Sequence, residues 1–212
     1  MLIQREFECT LNHVITESRC LSDLGFKCFV NMVLPIVKVP SPILRMPAQN
    51  VSKTELKSSA MQALIDNMLA TMPAAGGIGL AAPQVGSGVR IAVVAREDDP
   101  YVVINPSLVS GSGRVRESEE GCLSIPNVTG IVPRHAEIRV AALDRRGRRV
   151  NIRASGLLAF VFQHEIDHLN GILFVDRAIK LLTPVTDDQK KAFEAFRVEV
   201  NQESRIKNPA ID

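Results

Sequence analysis

A chain of 212 residues, 46% hydrophobic and 23% charged, has the composition of a globular protein with material for one sizeable core. Its formal net charge of +2 argues neither for nor against a nucleic-acid partner. The longest uncharged stretch, residues 67–89, holds five glycines and two prolines, which excludes it as a membrane-spanning helix. Residues 28–37 are apolar but too short to span, and they lie too far in for a signal peptide. Of the four cysteines, Cys9, Cys20 and Cys28 fall in the first 28 residues and Cys122 stands alone in the body. That is no disulfide framework, and it suits a reducing compartment, so a cytoplasmic location is expected.

Residues 1–31 lack clear periodicity, and VLPIVKVPSPILR (33–45) reads as a proline-punctuated extended segment. Ser52-Lys53-Thr54-Glu55 matches a capping box opening one helix, with Leu56, Met61, Leu64, Ile65, Met68, Leu69 and Met72 on a core face. Pro73 and the following glycines end it. After the glycine-rich loop GGIGLAAPQVGSG, strands are expected at 89–96 and 101–105, and 107–134 reads as short extended pieces and turns. Segments 136–144 and 149–154 form a β-hairpin around Arg146-Gly147. Its cluster Arg145-Arg146-Gly147-Arg148-Arg149 reads as a charged turn, with RNA or membrane contact as the lesser alternative. LLAFVFQHEIDHLN (157–170) is apolar on nearly every face of its first two turns, the pattern of a buried helix, with Gly171 as its stop. A charged helix is expected over 187–203. The fold class is therefore α+β: mostly antiparallel sheets around a central buried helix, with an N-terminal and a C-terminal helix.

That central helix carries His164-Glu165-Ile166-Asp167-His168. Four residues turn an α-helix by roughly 400°, so His164 and His168 share a face and can grip one divalent cation. Glu165 is then placed to act as base toward a metal-bound water. The plain alternative, two incidental histidines on an amphipathic helix, suffers from burial, because imidazoles and a carboxylate in an apolar setting need partners. A hydrolytic site wants a third ligand. No histidine follows His168, so a downstream carboxylate such as Asp176 or Glu194 would make the chain a generic metallopeptidase. Upstream, Cys122 in Glu119-Glu120-Gly121-Cys122-Leu123-Ser124 offers a thiolate suited to zinc or ferrous iron, although a lone cysteine is most often plain core.

Three stretches taken together carry a resemblance. GIGLAAPQ (77–84), EGCLS (120–124) and QHEIDH (163–168) match, in order, the signature motifs of the peptide deformylase family, and LPIV at 34–37 resembles its usual opening. The resemblance covers roughly residues 33–180. It implies that Cys122, His164 and His168 hold the metal, typically Fe²⁺ with Zn²⁺, Ni²⁺ or Co²⁺ as substitutes. Glu165 becomes the general acid/base, and Gln84 with the Leu123 N–H forms the oxyanion hole. The implied reaction removes the formyl group from N-terminal formyl-methionine of new proteins, by attack of a metal-bound water whose pKa falls from 15.7 toward about 7. Substrate would lie as an added strand against Ile78-Gly79 and Gly121. By position Ile78, Leu157, Phe160 and Val161 are candidates to line the methionine pocket, with plain core as the equal alternative for helix residues 157–161. The implied partners are formyl-Met nascent peptides and the ribosome near its exit tunnel, with no sequence-specific nucleic acid and no membrane. A catalytically silent metal-binding relative is the rival from another class, and the presence of both Gln84 and Glu165 counts against it.

Two departures stand out. The leader 1–31 has no counterpart in the family pattern, so Met32 is expected as the true start, with a regulatory or docking extension as the rival reading; the catalytic domain is expected at 32–182 and a charged helix and tail at 183–212. Thr129 stands where many relatives carry arginine. Finally, Asp167 is expected to pair with Arg134, locking the helix to a neighbouring strand.

Overall fold

The computed structural model describes residues 32–182 apart from Asp98. The expected leader, the helix at 187–203 and the tail lie outside the described residues.

The capping box at Ser52 is formed. Its hydroxyl accepts from the Glu55 N–H at 3.2 Å, and the Glu55 carboxylate accepts from the Ser52 N–H at 2.8 Å. It does not open one long helix. Helix α1 is a single turn, Lys53–Leu56, and the chain restarts as α2, Ser59–Ala74. The break comes from Ser58, whose backbone is extended and whose hydroxyl accepts from the Met61 N–H, making it a second N-cap where an uninterrupted helix would need an interior residue. Nor does Pro73 end α2; it lies inside the last turn. The stop is a Schellman closure, with Gly76 N–H on the Pro73 carbonyl and Gly77 N–H on that of Met72.

Among the described residues eight strands follow, in two antiparallel sheets. The five-stranded sheet has the order β1-β2-β3-β6-β7, built from Gly79–Ala81, Ile91–Val94, Tyr101–Gly111, Glu137–Leu143 and Arg149–Ser155. The three-stranded sheet has β4 (Val115–Cys122), β5 (Ile125–His135) and β8 (Lys180–Leu181) in that order. Residues 107–134 are thus not short pieces and turns. Strand β3 continues to Gly111, and β4 and β5 make one long hairpin paired from Val115↔His135 to Cys122↔Ile125. The sequence signal was weak because β4 is mostly exposed and turns polar residues, Ser118 and Glu120, inward where alternation would place apolar ones.

Strand β2 is buried along its whole length, and its alternate side chains serve two helices. Ile91 and Val93 pack with Ile65, Met68 and Met72 of α2 on one face. Ala92 and Val94 pack on the other face with Phe162, Ile166 and Leu169 of α3, which spans Gly156–Leu169. A third cluster joins β5 (Ile125, Val128, Val132) to Leu44, Leu173 and the short helix α4, Phe174–Arg177. Helix α3 ends in its own Schellman closure, Gly171 N–H to His168 O and Ile172 N–H to Asp167 O. Gly171 has φ +74, and a Cβ there would stand 2.3 Å from the Arg45 carbonyl oxygen, so only glycine fits. This cap fixes where α3 stops, and with it the last-turn histidine. No helix among the described residues is long and apolar enough to cross a membrane.

Candidate metal centre and active cleft

Three segments converge on one cleft of about 470 Å³. Helix α3 supplies His164, Glu165 and His168; the bulge where β4 turns into β5 supplies Cys122 and Leu123; β1 and the short 3-10 helix after it, Ala82–Val85, supply Gly79 and Gln84. The helical spacing brings the two imidazoles to 4.9 Å between ring centres, nearly edge to face. Cys122 Sγ lies 3.2 Å from His168 Nε2. One ligand atom from each of Cys122, His164 and His168 lies within 4.8 Å of the others, the span of a single coordinated ion.

The donor set fits such an ion. The Nδ1 of His164 is engaged by Glu120 Oε2 at 2.9 Å, which leaves its Nε2 lone pair for a cation. The Cys122 thiol is pushed up by burial, yet the His168 and His164 imidazoles beside it prevail and hold it well below the ordinary thiol range. Burial likewise opposes charge on His164, but the Cys122 sulfur and the Glu120 and Glu165 carboxylates raise it well above the usual imidazole value. The cluster therefore favours a thiolate opposite positive charge, a role a divalent cation can fill.

Glu120 is the member of this site that sequence reasoning missed. Arg134 of β5 donates to both its oxygens, Nε at 2.7 Å and Nη2 at 2.9 Å. The same guanidinium reaches Asp167 Oδ2 at 2.5 Å, so the expected Asp167–Arg134 pair is present. Arg177 of α4 closes the network on Asp167 at 2.6 and 2.8 Å. Burial works against charge on Glu120, but Arg134 and His164 outweigh it and keep the carboxyl below its ordinary value; burial likewise opposes charge on Arg134, and its acid partners Glu120 and Asp167 prevail and raise it. An inward-facing acid two residues before a lone cysteine, with an arginine at a buried strand position, was the available signal.

Glu165 is buried, and its Oε2 has no hydrogen-bond partner among the described residues. Burial pushes its carboxyl up to about 7, although the neighbouring His164 and His168 pull it down. Such a group can take up and release a proton near neutrality. Gly79 is pressed against it: a Cβ there would lie 2.2 Å from Glu165 Oε1. The Gln84 amide is anchored through its oxygen, which accepts from the Ala81 N–H at 2.8 Å. Its Nε2 is thereby aimed at the site, 3.5 Å from Cys122 Sγ and 3.4 Å from Ser124 Oγ.

The remaining sequence-derived candidates line the same cleft: Ile78, Gly121, Leu123, Leu157, Phe160 and Val161. Ile78 and Leu157 are 50% and 65% exposed, an apolar mouth unusual for side chains with no structural reason to face water. Asp176 is not part of the site. It pairs with Arg45 and accepts from the Leu173 N–H at 2.8 Å, while Glu194 lies outside the described residues.

A cleft ending at a cysteine and two histidines grouped closely enough to hold one metal ion, with a buried carboxylate beside them, is an arrangement of the metallohydrolase type. Residues 33–183 match the polypeptide deformylase family. A peptide deformylase from Symbiobacterium thermophilum is 46% identical over 174 residues, covering 81% of this chain and 78% of its own. One from Halothermothrix orenii is 47% identical over 151 residues, 70% of this chain and 96% of the relative. Among solved structures, a class I type b peptide deformylase from Acinetobacter baumannii with Met-Ala-Ser bound superposes with a TM-score of 0.68 at 39% identity, over 70% of this chain and 99% of that one. The chain belongs to the peptide deformylase family of hydrolases.

Proposed function

We propose that residues 32–182 form the catalytic domain of a metal-dependent deformylase that removes the formyl group from N-terminal formyl-methionine of nascent polypeptides in the cytoplasm, releasing formate. The observation that carries this reading is the buried, partnerless Glu165 oxygen beside the Cys122–His164–His168 cluster at the inner end of an apolar-mouthed cleft. A divalent cation held by Cys122 Sγ and the two imidazoles, Fe²⁺ with Zn²⁺, Ni²⁺ or Co²⁺ as substitutes, would supply Lewis acidity and a water that ionises near neutrality. Glu165 accepts a proton from the attacking water and returns it to the leaving amine nitrogen. The Gln84 side-chain N–H and the Leu123 backbone N–H donate to the formyl oxygen as charge develops on it, each contributing roughly 3–4 kcal/mol in comparable sites.

Substrate binding follows from topology. Strand β1 is the edge of the five-stranded sheet and β4 the edge of the three-stranded sheet, and the cleft is bounded by residues of both. A peptide entering between them can pair as an added strand along Ile78-Gly79 and Gly121, with the Ile78 carbonyl itself already taken by the Ala95 N–H at 2.9 Å. The methionine side chain then meets Ile78, Leu157, Phe160 and Val161. The Acinetobacter baumannii relative binds a peptide that begins with methionine, Met-Ala-Ser, which supports a methionine-led substrate. Nascent chains at the ribosome are the matching partner.

The test is Glu165→Gln, assayed on formyl-Met-Ala. The variant keeps its metal and loses at least about 10²-fold in kcat, the lower end for removal of a general acid/base. Near wild-type turnover by a metal-loaded variant would overturn the assignment.

A further inference from the structure

The basic hairpin is not used by the site described above. Residues 139–153 carry six arginines, one aspartate and no lysine, in a chain whose formal net charge is only +2, so the rest of the chain is net negative. A groove of about 690 Å³ runs beside this hairpin, lined by Arg96, Arg145, Arg146, Arg148 and Arg153 together with Tyr101 and two carboxylates, Asp99 and Asp144. Arg139 and Arg153 face each other directly across β6 and β7, both exposed, a like-charge pairing that weakens a sheet. Glu137, two residues before Arg139 on β6, pairs in register with Ser155 and forms no ion pair among the described residues. Asp144 is committed to the turn N–H groups of Arg146 and Arg148 and to the Arg148 side chain, and Arg145 to Asp66. Arg139, Arg146, Arg149 and Arg153 make no ion pair with any described residue.

We propose that this face, the groove and the β6–β7 hairpin together, binds the phosphodiester backbone of single-stranded RNA without sequence preference. Guanidinium forks match phosphate oxygens two at a time, and the absence of lysine distinguishes this surface from a merely polybasic one. The groove has the concave form of a strand track, with Arg96 held 5.0 Å above the ring of Tyr101 as a stacking platform for bases. Asn151 in the groove, and Ser110 and Ser155 beside the Arg139–Arg153 pair, offer donors and acceptors to a 2′-hydroxyl, which favours RNA over DNA. A membrane surface would call for apolar side chains at the hairpin tip, and none of the exposed large hydrophobics is there. The proposal does not depend on the deformylation reading, because no residue of the groove or hairpin lines the active cleft.

Fluorescence anisotropy with a labelled single-stranded RNA of about 12 nucleotides, within the site size of single-strand binders, tests it on the full chain. The expected wild-type affinity lies in the non-specific range and falls as salt rises from 50 to 200 mM. Arg146→Gln/Arg149→Gln/Arg153→Gln should reduce the log–log salt slope by about 2 and weaken binding at least about tenfold. Its deformylase activity should stay at the wild-type level, which certifies its fold. As a check independent of that variant, Arg139→Thr alone should leave the melting temperature unchanged or raise it while weakening RNA binding. Absence of wild-type binding at about 0.1 mM protein, the weak end of non-specific affinity, would overturn the proposal. So would equal binding by the triple variant, a melting temperature lowered by Arg139→Thr, or tighter binding to single-stranded DNA, polyglutamate or phosphatidylserine vesicles.

Discussion

Replacing Arg134 by methionine removes the cation that bridges two buried carboxylates, Glu120 and Asp167. The Arg134 side chain is 3% exposed, and those of Glu120 and Asp167 are 7% and 8% exposed. Methionine preserves much of the volume, so the effect isolates charge. Asp167 keeps Arg177, but Glu120 is left with only the His164 imidazole. Breaking a buried pair from one side costs about 3–5 kcal/mol, and the surviving Arg177 contact puts the expected loss near the lower end, about 3 kcal/mol. For a protein of this size that lowers Tm by roughly 6–12 °C. A second consequence is specific to the site. Glu120 orients His164, and loss of such a support weakens metal affinity by about 10–100-fold. There is also a pH signature. Glu120 has a folded pKa below its unfolded one, so its contribution is complete above the unfolded value and lost as pH falls through the folded value. Without Arg134 that depression shrinks, and acid unfolding begins at higher pH. Urea and thermal unfolding at fixed metal concentration, with a competitive chelator titration, measure all three. A variant within 1 kcal/mol of wild type and with unchanged metal affinity would refute the reasoning.

Three further outcomes follow from the geometry. Gly79→Ala drives a methyl group into Glu165 Oε1, and a displacement of about 1 Å at a reacting group costs on the order of 10²-fold in kcat; steady-state kinetics at wild-type level would contradict the contact. Because burial raises Glu165 to about 7 and a bound cation can only lower it, kcat/KM should fall with decreasing pH through an acid limb no higher than about 7, where the base becomes protonated; a limb centred well above that value in the pH–rate profile would count against Glu165 as the base. Gly171→Ala combines a φ of +74 with a Cβ 2.3 Å from the Arg45 carbonyl, and should destabilise by roughly 2–4 kcal/mol in urea unfolding; a loss under 1 kcal/mol would mean the Schellman corner is slack.

What the sequence determined by itself is what chain-local geometry controls. Helical periodicity alone places His164 and His168 on one face, because 3.6 residues per turn leaves no other arrangement for an i,i+4 pair. The Ser52–Glu55 box, the stop at Gly171 and the turn of the β6–β7 hairpin are likewise set by bonds spanning two to five residues. Even there local signals compete: Ser58 has the position of an interior residue in one long helix, yet its hydroxyl caps a second one. Only the tertiary structure decided which distant groups meet. The register of β4 on β5 turns Glu120 inward and carries Cys122 to the edge of α3, a contact spanning 46 residues that no spacing rule encodes. Strand β4 escaped detection for the same reason that it matters: its inward positions are polar, and they are stable there because Arg134 and His164, supplied by β5 and α3, neutralise and hydrogen-bond Glu120. Burial then lifts Glu165 to about 7, a property of the apolar cavity built around it by β1 and α3 and of no stretch of sequence taken alone.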